Sequence, residues 1–175
     1  MYNSSMNVFK GLKNTHTEIK RINGYLKEVV TFLDDSGKPI GHVINPLMVE
    51  LKPRDISQIF VGAFLVASPL CFTEEVWTLS ETLKFTNIYY LLTASIITVT
   101  FFVYFNFYRF KLKGNVIEFL KRIFAIYFIT TLSVVLILFL IDKFPVTTDH
   151  VLAFKRTVII AFPSIFGAAI TDYLK

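Results

Sequence analysis

The sequence predicts an all-α membrane protein with four transmembrane helices and a small N-terminal cytoplasmic region made of one helix and a β-hairpin. Apolar residues make up 54% of the 175 residues and charged residues only 18%, which excludes a disordered chain and argues against an ordinary soluble domain. Charges are almost absent from four stretches: residues 56–72, 88–108, 123–141 and 157–171. We therefore expect a cytoplasmic region over 1–54 and a membrane region over 55–175.

Two of the four stretches are short for a membrane crossing. A spanning helix needs about 20 residues to cross a hydrocarbon core of about 30 Å. Residues 88–108 and 123–141 meet this length, whereas 56–72 and 157–171 do not. The two short helices must recruit flanking residues or thin the bilayer, and their flanks are charged.

The N-terminal region divides into two predicted parts. Val8, Phe9, Leu12, Ile19 and Ile22 recur near helical spacing among basic residues, which predicts an amphipathic helix that docks on the membrane surface.

Beyond this helix, residues 26–33 and 40–49 are rich in β-branched side chains, and the turn-forming residues 34–39 separate them. This pattern predicts a β-hairpin. Because an isolated hairpin is marginal in water, we expect it to pair with a second copy or to pack beneath the helices, which favours a homo-oligomer.

Basic residues set the predicted orientation. Lys and Arg are concentrated in residues 1–55 and 109–122. The positive-inside rule then places both termini in the cytoplasm, in a multi-pass protein of the cell membrane. Anionic membrane lipids explain the net charge of +5 better than nucleic acid does, so we expect lipids and no nucleic acid as partners.

Opposite charges flank the two short helices on the predicted outer side. Extending each helix by about one turn would bring Glu74 and Glu75 to the same depth as Lys155 and Arg156. One interpretation is an interhelical ion pair between the two doublets, because an unpaired charge is costly there. The other is that at least one glutamate faces water, where carboxylates from several copies attract cations to a pore mouth.

Two prolines affect the first membrane helix. Pro53 and Asp55 suit the first turn of a helix that starts after residues 52–54. Pro69 removes a backbone hydrogen bond and clashes with the carbonyl of Leu65, which predicts a kink within residues 65–69. Such a break either exposes carbonyls to an ion or only redirects the outer half of the helix.

The last helix combines small residues with a terminal carboxylate. Two pairs of small residues are each spaced four residues apart: Ser164 with Ala168, and Gly167 with Thr171. This spacing places them on one face of the helix and predicts close packing against another helix. Asp172 ends the helix, where the helix dipole disfavours a negative charge. It should therefore have a cationic partner or serve an inner cation site, and the candidate partners are Lys175, Arg54 and Lys52.

Other chemistry has little support. His16, His42 and His150 lie far apart, the single Cys71 is expected to be a buried apolar side chain, and no phosphate loop or nucleophile motif occurs. We expect no catalytic residue, metal site or cofactor, and no enzyme activity.

Five segments of the sequence form a recognisable set: residues 45–47, 51–55, 72–77, 118–122 and 161–172. The most specific of them are Thr73-Glu74-Glu75-Val76-Trp77 and the last helix. Together these segments resemble a family of small prokaryotic, largely archaeal, integral membrane proteins of unknown function. The resemblance implies a four-helix membrane fold but no specific activity.

The favoured function is a homo-oligomeric, cation-preferring ion channel or pore. Glu74 and Glu75 would form its outer mouth, Pro69 would shape the path and Asp172 would lie near its inner end, with an inorganic cation as the passing species. The alternative is a non-conducting adaptor, assembly factor or sensor whose cytoplasmic hairpin binds a partner.

Overall fold

The chain forms two compact units, Met1–Glu50 and Leu51–Lys175. The computed structural model describes residues 14–22, 25–34, 36–46, 50–109, 112, 115–145 and 147–174.

The first unit contains a three-stranded antiparallel sheet. Its strands are β1 (Asn14–Ile22), β2 (Tyr25–Leu33) and β3 (Pro39–Pro46), in the order β1-β2-β3. β2 and β3 form the predicted hairpin, in which Gly37 has a φ of 76° and its N–H donates to the Asp34 carbonyl at 2.8 Å. A positive φ at this position suits glycine, which has no Cβ to clash.

The helix predicted over residues 8–22 is wrong for its second half. Residues 14–22 form β1, which pairs with β2 along its whole length. The β-branched residues Thr15, Thr17 and Ile19 alternate with other residues and favour a strand, and pairing with β2 overrides the weak helical spacing. Residues 8–13 lie outside the described part of the chain.

The second unit is helical. Among its described residues, three segments are long and apolar enough to cross a membrane, or four if α1 and α2 count as one broken span. The four predicted crossings therefore stay a prediction. The elements are α1 (Pro53–Leu70), α2 (Glu74–Thr82), α3 (Phe85–Val103) continued by a π-helical segment (Tyr104–Tyr108), α4 (Val116–Leu140) and α5 (His150–Tyr173).

The break in the first helix lies further along the chain than predicted. α1 continues through residues 65–69 to Leu70, and the chain bends by 86° between α1 and α2. Pro69 occupies the last turn of α1, where it has no N–H to donate to the Leu65 carbonyl, and the helix ends one residue later at Leu70. The Thr73 hydroxyl donates to the Leu70 carbonyl at 2.9 Å and so gives a hydrogen-bond donor to one of the last carbonyls of α1.

α5 packs against α1, and glycines permit a close approach. A Cβ added at Gly62 of α1 would lie 2.6 Å from the Gly167 carbonyl oxygen of α5, and a Cβ at Gly167 would lie 2.8 Å from the Gly62 carbonyl oxygen. Real Cβ atoms do not come this close to backbone. The two helices can therefore cross in this arrangement only with glycine at both positions.

Candidate functional site

Three charged side chains meet inside the helical unit at the end where α1 and α4 begin and α5 ends, here named the Arg122 end. Arg122 Nη1 lies 2.6 Å from Asp172 Oδ2, and Arg122 Nη2 lies 3.3 Å from Asp55 Oδ2. The side chains are 0 to 1% exposed. We name Asp55, Arg122 and Asp172 the charged cluster, because one guanidinium joins two carboxylates from different helices.

Local helix geometry positions each member of the cluster. Asp55 is the third residue of α1, where its Oδ2 accepts the Lys52 N–H at 3.1 Å and its charge faces the positive end of the helix dipole. Asp172 lies in the last turn of α5, where the dipole is unfavourable, and Arg122 compensates for it. Arg122 lies six residues into α4, about 9 Å from its start.

Aromatic side chains cover the cluster. The Phe107 ring lies 4.2 Å from the Arg122 guanidinium carbon, within the range of a cation–π contact. Tyr108 is buried and its ring meets that of Phe119 edge-on at 5.1 Å. Both Phe107 and Tyr108 belong to the π-helical segment, so α3 also contributes to this site. Single π-helical turns occur often at functional sites.

The cluster ties together the ends of three helices. A buried ion pair gains little over apolar packing, but removing one partner costs about 3–5 kcal/mol because the other charge stays buried. Arg122 can exchange its hydrogen bonds between two carboxylates without leaving the interior. The arrangement can therefore hold the helix ends together or, if one contact breaks, present a carboxylate to a cation.

The structure gives Asp172 a partner that was not among the sequence-based candidates. We expected Asp172 to pair with Lys175, Arg54 or Lys52, or to serve an inner cation site, and the structure shows it paired with Arg122. Lys175 lies outside the described residues. Arg122 was counted with the basic flank 109–122, although α4 begins at Val116 and places Arg122 inside the bundle. The helical spacing of Arg122 with the buried Ile126, Thr130 and Ser133 was the available signal.

At the opposite end of the unit, here named the Trp77 end, the two cations of α5 attach α2 and the following turn. Arg156 lies over the Trp77 ring at 5.0 Å, donates to the Lys143 carbonyl at 3.0 Å and pairs with Glu81 at 3.5 Å. Lys155 donates to the Leu83 carbonyl at 2.7 Å.

These contacts replace the pairs expected between Glu74 or Glu75 and Lys155 or Arg156. Both glutamates are exposed on the first turn of α2 and line a shallow surface pocket with Thr78, Leu79 and Thr82. The chain bends after α1, so helix extension does not carry the glutamates towards the cations.

The predicted small-residue face of α5 is mostly buried. Ser164 and Ala168 are buried, and the Ser164 hydroxyl donates to the Ile160 carbonyl of its own helix at 2.7 Å. Thr171 donates to the Gln58 carbonyl of α1 at 2.9 Å, and Gly167 lies against Gly62. Within the described residues, this face packs on a helix of the same chain.

Metal chemistry finds no support within the described residues. No group of three His, Cys, Asp or Glu side chains is arranged there to hold a metal ion. Cys71 is buried next to the bend after α1.

The apolar helices of spanning length define the class of protein as an integral membrane protein, consistent with several membrane passes. Residues 43–172 match the family described as "Putative integral membrane protein (DUF2391)". The match covers most of the chain, so the chain belongs to this family, as its resemblance predicted. The matched range includes the whole charged cluster and α2. Comparisons with curated proteins and with solved structures give no match.

Proposed function

We propose that this protein is a cation-preferring ion channel that works as a homo-oligomer, with the charged cluster as its gate. The observation that carries the proposal is the burial of Arg122 between Asp55 and Asp172 inside a membrane-protein bundle. Ionisable groups at such positions are rare because their burial is costly, and they commonly mark ion pathways.

In the closed state, Arg122 keeps both carboxylates occupied and holds α1, α4 and α5 together. Opening requires one of these contacts to break, and the 3.3 Å contact with Asp55 is longer than the 2.6 Å contact with Asp172. A released carboxylate then offers oxygen ligands to a cation. The neighbouring π-helical segment supports this step, since the extra residue in such a turn gives the backbone an alternative arrangement.

The two ends of the unit have separate roles in this proposal. At the Trp77 end, the exposed Glu74 and Glu75 of several copies form a ring that concentrates cations, and the bend after Pro69 turns α2 across the mouth. At the Arg122 end, Asp172 and Asp55 form the inner site. Basic residues near that end support a cytoplasmic location for it in this proposal, in which α1 is the fourth crossing.

Flux through liposomes tests the gate. Asp172→Asn weakens the shorter of the two contacts that hold the gate closed, keeps the shape of the side chain and leaves Asp55 as the carboxylate of the inner site, so we expect K⁺ flux to rise several-fold over the unaltered protein. Glu118→Gln is the matched control, because Glu118 pairs with the exposed Lys121 on the same helix. Flux absent from all three proteins, or equal flux from Asp172→Asn and Glu118→Gln, would contradict the proposal.

A second candidate is a non-conducting membrane module whose cytoplasmic sheet binds a protein partner. The observation that favours it is the exposure of three large apolar side chains on β3: Ile40, Val43 and Ile44. Exposed apolar residues on a strand invite pairing or packing with another chain. If the protein is such a module, liposomes should show no ion flux. A photocrosslinker at Val43 in intact cells should then capture one defined polypeptide, whereas a photocrosslinker at Lys38 in the turn should not.

A further inference from the structure

A cavity of about 330 Å³ lies between α3, α4 and α5. Along α5 its wall runs from His150 to Ile165, about 22 Å at 1.5 Å per residue. α3 and α4 each pack along α5 but contact each other over a much shorter stretch. The cavity lies where these two helices separate, and the exposed Thr131 of α4 marks its side opening.

We propose that this cavity binds one molecule of a long-chain fatty acid, with the hydrocarbon chain along α5 and the carboxyl group at His150. The wall is mainly apolar and includes Phe154, Ala161 and Phe162. It lies among helices of membrane-spanning length, where hydrocarbon surrounds the protein. One leaflet of the hydrocarbon core is about 15 Å deep, so the wall is long enough to hold a single extended chain.

The polar groups in the wall do not compete with an apolar ligand. The Tyr127 hydroxyl donates to the Ser95 hydroxyl at 2.9 Å, and the Thr157 hydroxyl donates to the Ala153 carbonyl at 2.9 Å. Because these groups have partners within the protein, a hydrocarbon chain can cover them without leaving a hydrogen bond unmade.

The head-group end of the cavity is also defined. His150 is exposed at the first position of α5 and lines the cavity mouth, where its ring nitrogens can hydrogen-bond a carboxyl group. The positive end of the α5 dipole favours a negative head group. The Asp149 carboxylate would repel a negative head group. However, it accepts the Leu152 N–H at 2.9 Å and is thereby held as the helix cap.

The size of the cavity favours a single chain over a two-chain phospholipid. Its volume is about twice that of a 150 Å³ apolar cavity that holds one benzene molecule. One chain fits such a space, whereas the second chain and glycerol of a phospholipid would have to remain outside.

Native mass spectrometry of the full chain, purified in a bulky sterol-type detergent and titrated with oleic acid, tests the proposal. We expect saturable binding of one oleic acid per chain. Ala161→Phe fills the cavity and should weaken binding more than tenfold. The matched control is Ala94→Phe, because Ala94 is exposed on α3 and does not line the cavity. His150→Ala should weaken oleic acid binding about tenfold and leave methyl oleate binding unchanged.

Three outcomes would overturn the proposal. These are the absence of saturable binding, equal binding by Ala161→Phe and Ala94→Phe, and a two-chain phospholipid that stays bound and blocks oleic acid. If Ala161→Phe does not fold, Thr131→Trp at the exposed side opening provides the same steric block without entering the core. Oleic acid binding to Thr131→Trp must then also be more than tenfold weaker than binding to the unaltered protein.

Discussion

At the scale of single residues, the strongest constraint is the short contact between Arg122 and Asp172. Both side chains are fully buried, and the carboxylate lies at the helix end that is least favourable for it. The charge pattern alone does not distinguish a basic residue on the flank of a helix from one inside the bundle. Here the helix face decides, since Lys121 is exposed whereas its neighbour Arg122 shares a face with the buried Ile126 and is buried.

The first prediction concerns the energy of this contact. Asp172→Ala should lower the free energy of unfolding in detergent by about 3–5 kcal/mol, because it removes one partner of a buried ion pair. Arg122→Met combined with Asp172→Ala should be less destabilising than the sum of the single changes. A double-mutant cycle from chemical denaturation measures the coupling, and strictly additive losses would show that the two side chains do not interact.

The second prediction concerns the crossing of α1 and α5. Gly62→Ala places a methyl group 2.6 Å from the Gly167 carbonyl oxygen, so the helices must separate, at a cost of about 1–3 kcal/mol in unfolding free energy. Gly41→Ala is the control, since nothing lies within 4 Å of its added Cβ. The same denaturation assay should show a loss for Gly62→Ala alone. A loss of equal size in both variants would argue against the close crossing.

At the scale of elements, α2 is the segment whose placement departs most from the sequence-based expectation. The apolar stretch 56–72 and the following residues predicted one extended helix with a kink, and the chain instead forms two helices at 86°. The pattern could not show this bend because the charges that hold α2 come from α5, about eighty residues later in the chain. Arg156 and Lys155 fix α2 and its following turn through Trp77, Glu81 and Leu83.

The third prediction tests this attachment. Trp77 is the only tryptophan in the chain, so its fluorescence reports on α2 alone. Arg156→Gln removes the cation over the Trp77 ring and the pair with Glu81, and we expect a red-shifted emission and stronger quenching by acrylamide. Lys143→Gln is the control, because it keeps the backbone carbonyl that Arg156 contacts. Unchanged emission from Arg156→Gln would mean that the stacking does not hold α2.

At the scale of the whole molecule, the uncharged stretches predicted the three helices of spanning length in the described part of the chain, and the β-branched runs with their turn residues predicted the β2–β3 hairpin. α4 begins at the predicted Val116, and the small residues of α5 suggested a closely packed face. β1 was missed although Ile22 pairs with Tyr25 across only two residues, Asn23 and Gly24, and this dipeptide is a strong hairpin signal in a sequence. The site was only half predicted. The unfavourable helix end singled out Asp172, whereas Arg122 lies 50 residues from Asp172 and 67 residues from Asp55 along the chain, so only contacts between helices bring the three together.

Selective conduction of cations is the central claim at this scale. The purified full chain in a planar bilayer, under a KCl gradient, gives the reversal potential of any current that it carries. We predict a reversal potential close to the equilibrium potential of K⁺. In the double variant Glu74→Gln and Glu75→Gln, the reversal potential should move away from the K⁺ equilibrium potential. A reversal potential close to the equilibrium potential of Cl⁻, or no current at any voltage from either the unaltered chain or Asp172→Asn, would contradict the claim.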